Sequence, residues 1–411
     1  MLFMKSFTLN ALTAQSSPNQ FRGPGTTKEQ SNNGPYCVDT FWKLMQDDSP
    51  FNTQMTSLAL QAFVDIFQSS LCNKYIMPYL SLCVENIKNS TSVYQSLYVA
   101  EILITQSCIN EDVMQYPNSI LSISSEMVEK INTDFNLVEL IIKSLVKYRR
   151  FSDPKLEQYP QKQQSAKVIE GKYSHDHNVR WRAKLLLFIL SNSATLKFSE
   201  EHLSTLWNEY VVLCKASATR SLFLRLLLFE DKNCNLKKLK RLFSLKGLSF
   251  ILDSLYARHN ELALECSMVY YKCFHRYFKL VNILKGKLEE SDYLRVIDLE
   301  GVYGLEALWD ISLCCANEEV RLSFCKLLVS FYLYLSESLR SVRINIWNLF
   351  VEKVTGKLKE VDNEKMILNL INLLLAFFRR MDGEEYSNLR VSSNKEVKIT
   401  FDFILKPGKM N

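Results

Sequence analysis

From Val38 onward the apolar residues of this chain recur every three or four positions, in runs separated by short polar breaks. That spacing puts one face of a helix against a core. It predicts helices over 57–70, 74–87, 93–107 and 136–148. Further helices are expected over 179–191, 200–216, 218–229, 236–245, 248–258, 261–278, 293–298, 344–359 and 363–381. The most informative stretch is Asp298–Leu339. After Gly301 and Gly304, Leu305, Leu308, Trp309 and Ser312 share one helical face. Asn317 then reads as an N-cap, with Glu318 and Glu319 in the first turn, where the helix dipole favours carboxylates. Val320, Phe324, Leu327, Leu328, Phe331 and Leu335 form the next apolar stripe. The turn Cys315-Ala316-Asn317 makes the two helices an antiparallel pair, the unit of an α-solenoid.

The fold expected is therefore all-α, an armadillo/HEAT-like α-solenoid, although no strict sequence period is visible. Residues 1–36, polar and turn-rich, are expected to be disordered. A first block of helical repeats covers 37–151 and a second covers 175–381. Between them 152–174 carries Asp153-Pro154, Tyr159-Pro160 and a Gln-rich run, and reads as an exposed loop or linker. After a second linker from Asp382, Val397, Ile399, Phe401 and Phe403 alternate with polar residues, the pattern of a half-buried strand. No second strand of that quality lies near it. The orphan strand is expected to be disordered or loosely docked on the last helices, with weak self-association through 397–403.

Composition agrees with helix. Only 11 Gly and 9 Pro occur in 411 residues, too few for an all-β chain rich in turns. The net charge of +6 is mild for this length and does not point to nucleic acid. The most apolar uncharged run, Met366–Phe378, is too short to span a bilayer, which needs about 20 residues. The start is a poor signal peptide and reads as a start inside a longer gene. The 11 cysteines show no framework spacing and sit mostly in apolar helical contexts. They read as reduced, buried thiols in a cytoplasmic protein, or one shared with the nucleus.

The words around the helix pair carry a resemblance. A glycine, Leu-x-x-Leu-Trp, a polar break and a long helix ending in Tyr-x-x-Leu resemble the armadillo-like region of the large fat-facets-type ubiquitin-specific proteases. Ser174-His175-Asp176-His177 with Arg182 and Leu185–Leu190, then Leu206-Trp207 and Cys273–Asn282, are similar to the same region, over roughly 170–405. The resemblance implies a non-catalytic helical scaffold of a large cysteine deubiquitinase, serving protein–protein interaction in ubiquitin removal. It also implies that 382–411 holds a linker and the first strand of a truncated ubiquitin-like domain. In that family the nucleophile lies in a Gly-x-x-Asn-x-Gly-Asn-Thr-Cys box and the base in a Gly-His-Tyr box. Neither is present here, so no catalytic residue and no cofactor are expected, and the partners are proteins of ubiquitin signalling.

Two other readings stay open. A thiol hydrolase would need one cysteine activated by a neighbouring base. A peripheral membrane or nucleic-acid binder would act through the basic helix Leu236–Lys246, where Lys237, Lys238, Lys240 and Arg241 face away from Leu236, Leu239, Leu242 and Phe243. The same four basic residues are the candidate partner surface of a scaffold. His175 and His177 lack a third metal ligand, and a solvated loop capped by Asp176 or Asn178 explains them better. Cys266 and Cys273, two turns apart, read as core packing, as do Trp309 and Trp347.

Overall fold

The computed structural model describes residues 36–68, 74–108, 123–228, 236–289 and 294–388. Helices α1 (Tyr36–Leu44), α2 (Thr53–Phe67), α3 (Ile76–Asn89) and α4 (Val93–Cys108) come first. Next are α5 (Ser125–Phe135), α6 (Leu137–Leu156) and the single turn α7 (Gln161–Gln164). The antiparallel hairpin β1 (Val168–Glu170) and β2 (Tyr173–Ser174) runs straight into α8 (His175–Asn192). After α9 (Glu200–Trp207), a π-helical turn (Asn208–Val212) leads to α10 (Ser217–Leu227) and α11 (Leu236–Leu242). Then follow α12 (Leu245–Ala257), α13 (His259–Leu284), α14 (Leu305–Cys314) and α15 (Glu318–Leu333). A short 3₁₀ turn precedes α16 (Arg343–Glu360) and α17 (Glu364–Asn388).

Local chemistry starts these helices where they start. The side chains of Asn52, Ser174, Ser199, Ser244 and Asn317 each accept a first-turn backbone N–H. Such caps satisfy donors that have no partner inside the helix, at about 1 kcal/mol each. Asn317 caps α15 through the N–H of Val320 at 3.2 Å, as its position predicts. Gly304 enters α14 at φ +76°, and a Cβ there would press Leu252 at 3.2 Å.

The helices stack as a ladder. α4 packs on α8, α8 on α10, α10 on α13, α13 on α15 and α15 on α17. Each of these except α10 carries a second helix: α3 on α4, α6 on α8, α12 on α13, α14 on α15 and α16 on α17. One apolar cluster runs from Val38 to Met381 through every rung. This is the all-α, armadillo-like solenoid, since each pair buries its face only against its neighbours. Each fully buried Leu, Ile or Phe side chain contributes roughly 1.5–3 kcal/mol.

Three local expectations change. The stretch 152–174 is anchored to the fold by a few buried residues, Ser152, Asp153, Leu156 and Gln164, while 154–155 and 157–163 stay exposed as expected. Pro154 does not stop α6, because it stands close to the helix end and Asp153 is anchored there. Asp153 accepts from the N–H groups of Lys215 and Ala216, both at 3.0 Å. Buried Gln164 donates to the carbonyls of Leu156 and Tyr159, both at 3.1 Å. At the hairpin tip, Lys172 reaches back to the carbonyls of Gln46, Ser49 and Phe51 at 3.0–3.2 Å. Gly171 there has φ +60° and lies against Asp47, with no room for a side chain. Second, the described part of 293–298 is not helical. Buried Val296 bridges Leu288 and Leu335, tying the segment to the end of α15. Third, α5 formed where no helix was expected. Its Glu129 side chain holds the 193–195 turn by accepting from Ser193 Oγ at 2.7 Å and the N–H groups of Ala194 and Thr195 at 2.9 and 3.1 Å. The expectations for residues 1–35 and for the strand 397–403 lie outside the described residues.

Candidate functional site

The test of any thiol chemistry is the environment of the cysteines. Cys83, Cys108, Cys214, Cys266, Cys273, Cys315 and Cys325 are buried, and Cys314 is exposed. Burial pushes the Cys108 and Cys325 thiols up to about 11 and Cys266 up to about 12. Cys83 and Cys214 are raised further, the latter by burial and by the adjacent carboxylate. Cys214 donates to Asp153 Oδ1 at 3.2 Å. A nucleophile needs the opposite setting, a lowered pKa beside a base or cation. Exposed Cys314 is also raised, by burial and then by Asp310. Cys72 and Cys234, and the side chain of Cys37, lie outside the described residues.

His175 is a structural residue. His175 is not in a solvated loop. It opens α8 fully buried, between Tyr148 Oη at 3.0 Å from Nδ1 and Thr219 Oγ1 at 2.9 Å from Nε2. Burial lowers its pKa to about 4, so the ring is neutral at physiological pH. The cap is Ser174, not Asp176 or Asn178. Asn178 instead donates to the carbonyls of Glu170, Tyr173 and Ser174. His177 is exposed and its Nδ1 meets Ser174 Oγ at 2.7 Å. Among the described residues no group of His, Cys, Asp or Glu is placed to hold a metal.

What sequence reasoning missed is a buried ionic hub where α6, the hairpin, α8 and the π-helical turn meet. Glu209, in that turn, pairs with both Arg149 and Arg150 of α6. Arg149 and Glu209 keep only 9% and 6% of their side-chain surface exposed. Arg182 of α8 lies over the Tyr148 ring at 4.3 Å and donates to Glu170 of β1 at 2.5 Å and to Ser144 Oγ at 3.1 Å. Arg220 of α10 donates to Glu261 and Glu265 of α13 at 2.5 and 2.7 Å. Each pair joins separate elements, so no local spacing signals it. The one available hint was the pair Arg149-Arg150 directly after the amphipathic run Leu137–Tyr148.

The basic helix is divided. Leu239, Leu242 and Phe243 are buried at 1%, 1% and 2%, so the apolar face of α11 is spent on the core. An interfacial helix needs that face for the lipid. Arg241 is exposed and Lys240 half-exposed, while the side chains of Lys237 and Lys238 lie outside the described residues. No described helix is long and apolar enough to cross a membrane. Trp309 is fully buried and donates to Tyr332 Oη at 3.3 Å, whereas Trp347 is half-buried against Phe377.

Comparison with known proteins follows the ladder. The family model for the UBP24/USP9X/USP9Y ARM repeat matches residues 36–282. The chain is 21% identical over 281 residues to the probable ubiquitin carboxyl-terminal hydrolase FAF of Drosophila melanogaster, covering 67% of this chain and 9% of that protein. It is 22% identical over 313 residues to ubiquitin carboxyl-terminal hydrolase 9Y of Mus musculus, covering 73% of this chain and 11% of that protein. The chain thus spans about a tenth of the length of these relatives. The family match begins at α1, well before the point near residue 170 where the motif words placed the likeness.

Proposed function

The chain belongs to the UBP24/USP9X/USP9Y ARM-repeat family, and from that premise we propose that it serves as a protein-interaction scaffold of a large cysteine deubiquitinase. In this reading the ladder presents partners or ubiquitinated substrates, and cleavage belongs to a separate catalytic domain of such a protein. The observation that carries it is the family match over a continuous ladder of helix pairs. The raised thiols support a non-catalytic role, because desolvation disfavours the thiolate that would attack. The basic face of α11 is the proposed partner surface: Lys237, Lys238, Lys240 and Arg241 suit acidic protein segments, and the buried Leu239 and Leu242 leave no apolar face for lipid. The compartment proposed is the cytoplasm, with access to the nucleus.

Two measurements test this. A ubiquitin-based covalent probe should leave every cysteine of the chain unlabelled; labelling abolished by a single Cys→Ala change would promote the thiol-hydrolase reading. Excess chain, added to a full-length fat-facets-type enzyme, should slow cleavage of protein conjugates but not of a minimal ubiquitin substrate. Reversing Lys237, Lys238, Lys240 and Arg241 to Glu should remove that competition. Equal competition by the reversed variant would remove α11 as the surface, and absence of competition by the unmodified chain would defeat the scaffold reading.

A further inference from the structure

In the second half of the ladder, charge is sorted by helix. α10, α13, α15 and α17 pack in succession. Ser217–Leu227 of α10, Cys266–Leu284 of α13, Val320–Leu333 of α15 and Lys365–Met381 of α17 contain no Asp or Glu, yet each carries Lys or Arg. The two carboxylates nearer the start of α13, Glu261 and Glu265, are taken by Arg220. The second helices hold carboxylates and use them locally. Asp253 of α12 accepts from Tyr303 at 2.6 Å, Asp310 of α14 accepts from Tyr256 at 2.8 Å, and Glu306 of α14 pairs with Lys353 of α16 at 2.6 Å.

Helix packing brings the unmatched cations side by side. Arg225, Lys272, Lys326 and Arg379 are exposed, one on each of the four helices, and no described carboxylate pairs with any of them. Next to Arg225, the Leu224 carbonyl of α10 accepts from Cys273 of α13, the neighbour of Lys272, at 3.0 Å. Ser323 Oγ of α15 meets Met268 Sδ of α13 at 3.7 Å. Lys272 lies four residues past Met268 and Lys326 three past Ser323, so both stand one turn further along the same seam. Arg380, beside Arg379, donates to the Lys326 carbonyl at 3.1 Å and to Ser330 Oγ at 2.6 Å. The result is a strip of like charge across four rungs, with no internal counter-charge to lower its potential.

We propose that this strip is a docking surface for an extended acidic segment of a partner protein, laid across α10, α13, α15 and α17. Charge complementarity selects the occupant: unpaired cations on successive rungs match carboxylates spaced along one chain. The spacing selects its form. Packed helices lie about 8–10 Å apart, and an extended chain advances about 3.3 Å per residue. Every third residue of such a segment therefore meets the next rung, and about ten residues cross all four. The inference rests on the scaffold reading and adds a second surface to that of α11.

The test is fluorescence anisotropy of the full chain with a fluorescein-labelled synthetic peptide of about a dozen residues, Glu at every third position and Ser between. At about 50 mM salt, where screening is weak, it should bind saturably. A peptide of the same composition with its Glu residues gathered at one end should bind several-fold more weakly. Lys272→Glu with Lys326→Glu should weaken binding of the first peptide by about tenfold or more, and Lys272→Gln with Lys326→Gln by an intermediate factor. Arg241→Glu on α11 should leave it unchanged. Both lysines are exposed and unpaired with any described carboxylate, so the thermal unfolding of these variants should match the unmodified chain. Absence of saturable binding, or equal binding by the Lys272→Glu, Lys326→Glu variant, would overturn the proposal. Tighter binding of a single-stranded RNA of equal charge, lost in that same variant, would also overturn it and assign the strip to nucleic acid. The peptide assay needs no deubiquitinase, so failure of the strip is read separately from failure of the scaffold competition.

Discussion

The middle of the ladder and its last rungs are held by different physics. Between α6 and α10 the rungs meet through buried charges: Arg149 and Arg150 on Glu209, Arg182 on Glu170, and Asp153 under the turn before α10. Between α14 and α17 they meet through rings. Trp309 lies 5.4 Å from Phe350, Tyr332 lies 4.9 Å from Phe350, and Phe350 stacks on Phe377. An aromatic contact tolerates small shifts, because it is attractive over a range of offsets. A buried ion pair does not, because a misplaced charge loses its partner and keeps its desolvation penalty. The middle, where a π-helical turn and a hairpin interrupt the regular pairing, is the part that carries the exacting contacts.

Breaking one contact on each side sharpens the comparison most. Glu209→Ala leaves Arg149 buried without its carboxylate and should cost about 3–5 kcal/mol. Phe350→Ala should cost a similar amount, about 3–5 kcal/mol, through the cavity it leaves among Trp309, Tyr332 and Phe377. The consequences should differ in place. Hydrogen exchange of the first variant should rise in α6, α8 and α9, and of the second in α14–α17 only, since solenoid contacts are local. Replacing Arg149 and Glu209 together by Met and Leu should recover most of the first loss, but nothing comparable is expected for Phe350. A recovery of less than half would show that the ion pair itself, and not the orphaned charge, supplies the stability.

The next effect is in pH. Burial lowers the folded pKa of His175 to about 4 from its ordinary value of 6.5, so the unfolded chain takes up the proton first. Its contribution is intact above pH 6.5 and is lost as pH falls toward 4. Between pH 7 and pH 5 that amounts to about 2 kcal/mol. Urea unfolding of His175→Gln should be less stable at pH 7 but lack this slope, whereas an unchanged slope would place the titration elsewhere. At the edge of the aromatic rungs burial also lowers the pKa of His275 of α13, which stacks on Tyr271 beside Phe324 of α15, so exchange in α16 and α17 should change least over the same range.

The smallest effect lies at the boundary between the two regions. Ser267 kinks α13 with φ +44° and ψ −122°, a conformation that suits glycine. The kink frees the Ala263 carbonyl, which accepts from the Asn317 side chain at 3.1 Å and so ties α13 to the cap of α15. Ser267→Gly should stabilise the chain by about 1 kcal/mol. A destabilisation seen in thermal unfolding would mean that the Ser267 hydroxyl, 3.4 Å from Asn317 Nδ2, matters more than the backbone strain.

Much of the fold was legible in the residues themselves. Because a helix in a solenoid always has one face toward a neighbour, the three- and four-residue spacing located the starts of α2, α3, α4 and α12–α17 to within about four residues, though α13 and α17 run six and seven residues past their expected ends. Asn317, Glu318 and Glu319 marked the start of α15 because capping is decided within one turn. The absence of a Cys box and a His box was also a property of the sequence alone. What the sequence did not reveal were contacts between residues far apart. Asp153-Pro154 and Tyr159-Pro160 carry turn signals, yet Asp153 is anchored by residues more than sixty positions away. His175 reads as a polar residue before a helix until Tyr148 and Thr219 close over it from two other helices. Local pattern fixes which face of a helix is apolar, but only the packed ladder decides which charged residues are taken inside with it and which partners make that burial tolerable.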